Sequence, residues 1–415
     1  MKSDIEIMSP VGSYESLMAA IEAGAGSVYF GAGKLNMRAR SSGSFGCEDL
    51  ERITGICRDY GIHSYLTVNS VIYNNEIEEM RELLDLAKLG RVSAVIASDM
   101  AVISYCRQIG MAVHLSTQCN VTNIEAVRYY AQFADVIVLA RETTLKQAAD
   151  IIKIIQEQNI CGPNNKTVRI EMFVHGALCM AVSGKCYLSL DNFNYSANRG
   201  ACLQPCRRGY RVWDLNQEVE LSIDNQYIMS PKDLCTIGFL DKIIAAGITV
   251  LKIEGRGRGA EYVKCVTRCY HEAIDAIANQ SFDNSKIEAW MQQLRSVYNR
   301  DFWDGYYLGR KMGEWTEHYG SQATRVKQHI GKVTNYFSKL SVAEITIETR
   351  ELKFNDNILI TGPTTGVYED SVREIRVNLA PVTQAIKGEV CSIPVHKLVR
   401  RGDILYRWIE VESRL

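Results

Sequence analysis

The chain has 415 residues, 47% of them hydrophobic and 23% charged, with a formal net charge of -1. That composition supplies a large apolar core and excludes a disordered or fibrous chain, and the length exceeds one ordinary domain unless that domain is a (β/α) barrel with a small companion. The near-neutral balance gives no global field toward nucleic acid, so any RNA contact must come from a local basic patch.

MKSDIEIMSP at the N-terminus has no continuous apolar run, and no window approaches the roughly 18 apolar residues that span a bilayer, so a cytoplasmic protein is expected. In chain order, short β-branched runs then alternate with segments of helical periodicity, the pattern of βα units around a parallel sheet. The strand-like runs fall at 5–10, 27–31, 63–69, 94–98, 113–118, 136–141, 169–176 and 250–256. Between them, YESLMAAIEAGA, NEIEEMRELLDLAKLG, NIEAVRYYAQFA and LKQAADIIKIIQEQ carry apolar residues at i, i+3, i+4 spacing. Eight strands with intervening helices predict an α/β fold, a (β/α)8 TIM-like barrel.

A long excursion interrupts this regularity after the seventh strand. It holds a Gly/Asn/Arg/Cys-rich loop at 191–209, a probable hairpin in RVWDLNQEVELSI, and SPKDLCTIGFLDKIIAAG (230–247), which reads as one returning helix. Loops of such length inside a compact domain are usually functional, and in a barrel this one leaves from the C-terminal face, where catalytic groups gather. Helices at 260–279 and 284–297 would complete the barrel. Beyond about 329 the runs HIGKVTNYF, LSVAEITIET, NDNILITGPTTG, REIRVNL and GDILYRW predict a small C-terminal all-β barrel. The expected domains are therefore 1–310 for the catalytic barrel, 311–328 for a linker and 329–415 for the β domain.

Thirteen cysteines are many for a chain of this length, and an odd number cannot all pair. Eight are scattered and read as small buried hydrophobes. The other five, Cys179, Cys186, Cys202, Cys206 and Cys235, follow the pattern C-x6-C-x15-C-x3-C and then x28-C. Thiolates are the ligands of soft metals and iron-sulfur clusters, and four suffice for a [4Fe-4S] cluster, whereas the tight C-x2-C pairs of structural zinc are absent. Spacing alone leaves a cluster, zinc and unligated thiols all open.

Asn69, Gln118, His175, Lys252, Glu254 and Arg256 sit at predicted strand ends that face the same barrel mouth, although each also suits a cap or a structural pair. Lys185, Arg199, Arg207, Arg208, Lys232, Lys252, Arg256 and Arg258 make the seventh and eighth loops positive, which suits an anionic substrate, carboxylate or phosphate. No P-loop and no HExxH motif occurs, so a P-loop NTPase and a zinc protease are disfavoured.

The string EMFVHGALCMAVSGKCYLS closely resembles the signature of the collagenase-like peptidase family U-32, and SPKDLC and KIEGR resemble its later blocks. The opening MSPVGSYESLMAAIEAGAGSVYFG, LNMRAR, HLSTQCNVTN and the C-terminal GKVTNYF and ITGPTTG extend the resemblance over nearly the whole chain. Despite the name, the resemblance implies oxygen-independent hydroxylation by proteins carrying a [4Fe-4S] cluster. One catalytic domain with one small β domain is most similar to the branch that forms 5-hydroxyuridine at the tRNA wobble position using prephenate. The implied partner is thus a tRNA anticodon loop, and the implied co-substrate is prephenate. Carried over by residue, the cluster ligands are Cys179, Cys186, Cys202 and Cys235, with Cys206 competing for the third place. Glu254, Arg256 and His175 are the implied catalytic residues, and Arg38, Asn69, Gln118 and Lys252 the implied substrate contacts. A true peptidase and a non-catalytic iron-sulfur accessory protein are the competing readings.

Overall fold

The computed structural model describes residues 5–39, 45–211, 213–214, 219–220, 227–310 and 312–411. The predicted runs form β1 (Glu6–Pro10), β2 (Ser27–Phe30), β3 (His63–Val68), β4 (Ala94–Ala97), β5 (Val113–Leu115), β6 (Val136–Val138) and β7 (Arg169–Gly176). The excursion then contributes β8 (Trp213–Asp214), β9 (Val219–Glu220) and β10 (Asp233–Cys235) before β11 (Val250–Ile253). β1 to β7 pair in parallel in sequence order, and β11 pairs in parallel with both β1 and β7, so the eight strands close a TIM-like barrel.

Helices α1 (Tyr14–Glu22), α2 (Leu50–Asp59), α3 (Ile77–Leu89), α4 (Met100–Gln108), α5 (Ile124–Ala131) and α6 (Leu145–Glu157) alternate with these strands. Their starts are written in the sequence: the side chains of Ser13, Asp99, Asn123 and Thr144 each accept a first-turn backbone N–H, satisfying a donor the helix leaves free. Apolar stripes of the helices and outward side chains of the strands share one core, including Leu17, Ile53, Leu84, Ile103 and Ile155. Each such side chain contributes about 1.5–3 kcal/mol by leaving water. Inside the barrel, Met8, Tyr29, Tyr65, Ile96 and Val136 pack together. Below them Glu6 accepts from Arg169 at 2.8 Å and from the Tyr65 hydroxyl at 2.7 Å, closing the lower end with paired charge.

Segment 230–247 departs from the expected single helix. Leu234 and Cys235 form an antiparallel pairing with Gly176 and His175 of β7, a 3-10 turn follows at Ile237–Phe239, and only α8 (Leu240–Ala245) is helical. The end of β7 projects past its barrel neighbours with free backbone groups, and pairing them outweighs the helical pattern of the preceding residues. A short α7 (Leu188–Phe193) lies in the cysteine-rich loop. β8 and β9 do pair as a hairpin, whose turn lies outside the described residues. The expected helices at 260–279 and 284–297 are α9 (Ala260–Ala278) and α10 (Asn284–Ser296), followed by a short β12 (Phe302–Trp303) on β10.

β13 (Arg325–Phe337) opens the C-terminal all-β region, beginning within the segment expected to be linker. It is followed by β14 (Val342–Ile347), β15 (Glu351–Lys353), β16 (Asn357–Gly362), β17 (Gly366–Ser371), β18 (Ile375–Val377), β19 (Ala380–Val382), β20 (Gln384–Ile386), β21 (Val390–Pro394) and β22 (Ile404–Glu410), eight of the ten strands forming one antiparallel sheet. The order is β17-β16-β22-β13-β14-β21-β18-β19, with β15 and β20 as a separate ribbon. Ile330, Ile345, Ile360, Ile393 and Leu405 fill a core of its own. Leu359, Val367 and Trp408 of this sheet meet Ala19 of α1 and Ala260 of α9. Among the described residues no helix is long and apolar enough to cross a membrane.

A candidate active site at the barrel mouth

The C-terminal ends of the strands and the cysteine-rich loop enclose a cavity of about 150 Å³. Its position follows from backbone constraints. Gly176 ends β7 at φ +103°, and a Cβ there would lie 2.4 Å from the Glu254 carbonyl, so only glycine lets β7 and the β11 exit run side by side into the loop. Gly200, at φ +74°, brings the loop against the Asn36 carbonyl in the same way.

Lys252, Glu254 and Arg256 all line this cavity, as their alternate spacing predicts, although the regular strand stops at Ile253. Their partners differ. Lys252 is buried and donates to Glu171 at 2.7 Å, with His114 Nδ1 3.7 Å from the other carboxylate oxygen, so its charge is matched under the cavity floor. Glu254 binds Arg38 at 2.9 Å and accepts from the Tyr29 hydroxyl at 3.2 Å. Burial alone would raise the Glu254 pKa, but the guanidinium groups of Arg38, Arg141 and Arg256 outweigh it and hold the carboxyl at about 2. Arg256 donates to the Thr67 hydroxyl and to Asn36 Oδ1 at 3.3 Å, yet its Nε has no partner although the residue is 8% exposed. Arg141 also lines the cavity, donates to the Ala177 carbonyl at 2.8 Å, lies 4.1 Å over the Phe173 ring, and leaves its buried Nε unpartnered.

Asn69 and Gln118 reach the same cavity. Asn69 accepts from the Met37 amide at 3.2 Å and so fixes the segment that carries Arg38; Gln118 accepts from the Ser116 hydroxyl at 3.2 Å. Two cations of the positive loops are spent elsewhere: Arg199 pairs with Glu76, and Lys232 with Asp301 at 3.1 Å and Glu314 at 3.3 Å. The cavity still gathers Arg38, Arg141, Arg207, Lys252, Arg256 and Arg300 against Glu254, a surplus of positive charge that favours an anion.

Cys179, Cys186, Cys202 and Cys206 surround the cavity. Cys235 does not join them. It is buried on the outer side of the barrel, 3.7 Å from Met291 Sδ of α10, and burial pushes its thiol up to about 11. Its placement follows from the β10 pairing, in which Cys235 stands opposite His175. The thiol set that the structure brings together is therefore 179, 186, 202 and 206. Among the described residues no group of three or more His, Cys, Asp or Glu side chains is arranged to hold a single metal ion. Four cysteines lining one cavity are the number of thiolates that a [4Fe-4S] cluster requires.

His175 also lies away from the cavity. A two-residue period along β7 would align it with Glu171 and Phe173, which face inward, but the register shifts between Lys252 and Ile253, so that Phe173 faces Lys252 and His175 faces Ile253. This bulge turns His175 outward among Tyr262, Tyr270 and Phe302. Burial there lowers its pKa to about 3, so it is neutral and structural. Tyr29, Asn36, Thr67, Arg141 and Arg300 were not singled out in the sequence. Only Arg141 carried a readable signal, an arginine closing the run VIVLAR.

The profile described as peptidase family U32 matches residues 12–317. A Porphyromonas gingivalis protein named "Collagenase" is 59% identical over 411 residues, 99% of each chain. The Bacillus subtilis "tRNA hydroxylation protein P1" is 28% identical over 89% of this chain and 86% of its own. The Escherichia coli "23S rRNA 5-hydroxycytidine C2501 synthase" is 33% identical over 75% of this chain and 46% of its own. Among solved structures, that of the U32 peptidase Mk0906 aligns with 60% of this chain and 93% of its own, at 11% identity and a TM-score of 0.39.

Proposed function

The chain belongs to peptidase family U32, and on that premise we propose that it is an RNA-modifying hydroxylase which forms 5-hydroxyuridine at a tRNA wobble position, independently of dioxygen and with prephenate as co-substrate. The observation that carries this reading is the union, in one cavity, of four cysteines with an excess of arginines, two of which keep buried Nε–H groups without a partner. Relatives named for tRNA and rRNA hydroxylation support the substrate class.

Cys179, Cys186, Cys202 and Cys206 would hold a [4Fe-4S] cluster, which supplies one-electron chemistry when bound. The chain's own residues supply binding and orientation. Arg256 and Arg141 offer their open guanidinium edges to the carboxylates of prephenate, a fork geometry that lysine does not reproduce. The Arg38–Glu254 pair fixes one wall of the cavity, and Glu254, held ionised by its arginines, is an acceptor at neutral pH. Lys252, anchored on Glu171, closes the floor with a matched ion pair and leaves the anion to the arginines. The target uridine must be splayed out of its stack to present C5, which an anticodon loop allows.

The 59% relative named "Collagenase" favours a second reading, a peptidase. Such an enzyme needs an activated nucleophile or a metal-bound water with a base. Among the described hydrogen bonds, none joins a histidine ring nitrogen to a serine hydroxyl or cysteine thiol; His175 meets Tyr270 at 3.5 Å instead. The test is a parallel assay of anaerobically purified protein on undermodified tRNA, with and without prephenate, and on gelatin. Prephenate-dependent gain of one oxygen on the wobble uridine is expected. Gelatin cleavage with unaltered tRNA would overturn the hydroxylase reading.

A further inference from the structure

A second cleft, of about 420 Å³, opens beside the mouth and shares Cys202, Gln204, Arg207 and Arg300 with the first cavity as a common wall. Its lining adds Arg208, Tyr298, His318 and Tyr319, and no carboxylate among the described residues. Arg207 is fixed by donation to the Pro231 carbonyl at 2.8 Å, and Arg300 by Asp233 at 3.3 Å, so their charges are held in place. The Arg208 guanidinium forms no ion pair with a described residue and rests 5.1 Å over the Phe193 ring. One flat ring is also on offer: Tyr319 is 71% exposed, whereas Tyr298 already carries the Arg258 guanidinium 3.4 Å from its centre.

An anion alone would use the arginines and leave the Tyr319 ring idle, and an acidic peptide would do the same. A nucleotide uses both, its phosphate meeting fixed and mobile arginines and its base stacking on an aromatic face. A shared wall makes the two cavities neighbours, which suits ligands joined by a single phosphodiester. We propose that this cleft binds the nucleotide adjacent to the one presented at the mouth cavity, with Arg208 on the linking phosphate and Tyr319 against the neighbouring base. The proposal rests on the RNA-substrate reading above.

The experiment uses the full chain and a fluorescent anticodon stem-loop, displaced by a uridine mononucleotide or by a uridine-containing dinucleotide. On the wild-type protein the dinucleotide should compete roughly ten-fold better than the mononucleotide, the size of one stacking contact. Tyr319→Ala and Arg208→Ala should each remove most of that advantage without changing mononucleotide competition, and Tyr319→Phe should keep it. Arg208→Ala should also lower the salt slope of stem-loop binding by about one. Both side chains lie at the surface of the cleft, so the fold tolerates their loss. If the stem-loop binds but the two nucleotides compete equally, or the alanine variants match wild type, the subsite is wrong while RNA binding stands. If the stem-loop does not bind the wild-type protein at all, the RNA reading itself fails.

Discussion

At Arg256 a buried guanidinium spends two contacts on Thr67 and Asn36 and leaves its Nε–H without a partner. Arg256→Lys preserves charge and loses the fork, so it should keep fold and iron while weakening prephenate binding about ten-fold or more by calorimetry. Unchanged affinity would move the carboxylate site toward Arg38 and Arg300. His175 makes a different prediction. Its folded pKa, about 3, lies below the ordinary 6.5, so the unfolded chain takes up the proton first as pH falls. The stability this residue contributes is complete above 6.5 and is lost between there and about 3, with a slope of up to about 1.4 kcal/mol per pH unit. Urea unfolding of His175→Phe should show a shallower loss from pH 7 to pH 5 than the wild-type protein; identical slopes would place the titrating group elsewhere. The identities of these residues were legible in EMFVHG and KIEGR, but their orientations were not. One bulge opposite Lys252 and Ile253 decides that His175 faces the helices while Glu171 and Phe173 face the cavity, and nothing local in the sequence marks it.

The cysteine-rich loop is the element with least to bury. Met180, Val182, Tyr187 and Leu203 are 43%, 39%, 69% and 42% exposed, so apolar burial offsets little of the entropy of ordering it. Limited proteolysis of metal-free protein should therefore cut first within 177–211, and iron-loaded protein should be protected there while the barrel survives in both. Equal cleavage in the two states would separate the cysteines from any ligand. That the loop belongs to the barrel mouth was readable from its length and position, and the barrel strands and helices from their periodicity. The 230–247 segment was not, because its first residues are claimed by an edge of β7 that exists only once the barrel has closed. That pairing carries Cys235 away from the mouth and leaves Cys206 as the fourth cysteine there.

Across the whole molecule the β region docks on the flank of the barrel. Leu359, Val367 and Trp408 cover Ala19 and Ala260, Lys264 donates to the Val367 carbonyl at 2.7 Å, and Lys397 pairs with Glu22. Lys397, close in sequence to Arg400 and Arg401, is thus engaged in holding the two parts together. Trp408→Ala should cost the β region about 3–5 kcal/mol, seen as an earlier urea transition, with anion binding at the mouth unchanged. Loss of both together would mean that the docking supports the site. The near-neutral composition also concealed that positive charge is concentrated at the barrel mouth, where six cationic side chains line the cavity and, among the described residues, only Arg38, Lys252 and Arg300 are paired, with Glu254, Glu171 and Asp233. On the proposed function, a cluster held by four thiolates would be anionic and these cations would balance it. Iron and sulfide content of anaerobically purified Cys206→Ala beside Cys235→Ala tests that claim most directly. We predict about four irons per chain in the wild-type protein, loss of iron from Cys206→Ala and retention in Cys235→Ala. Stoichiometric zinc without iron in the wild-type protein, or iron lost from Cys235→Ala and kept by Cys206→Ala, would contradict it.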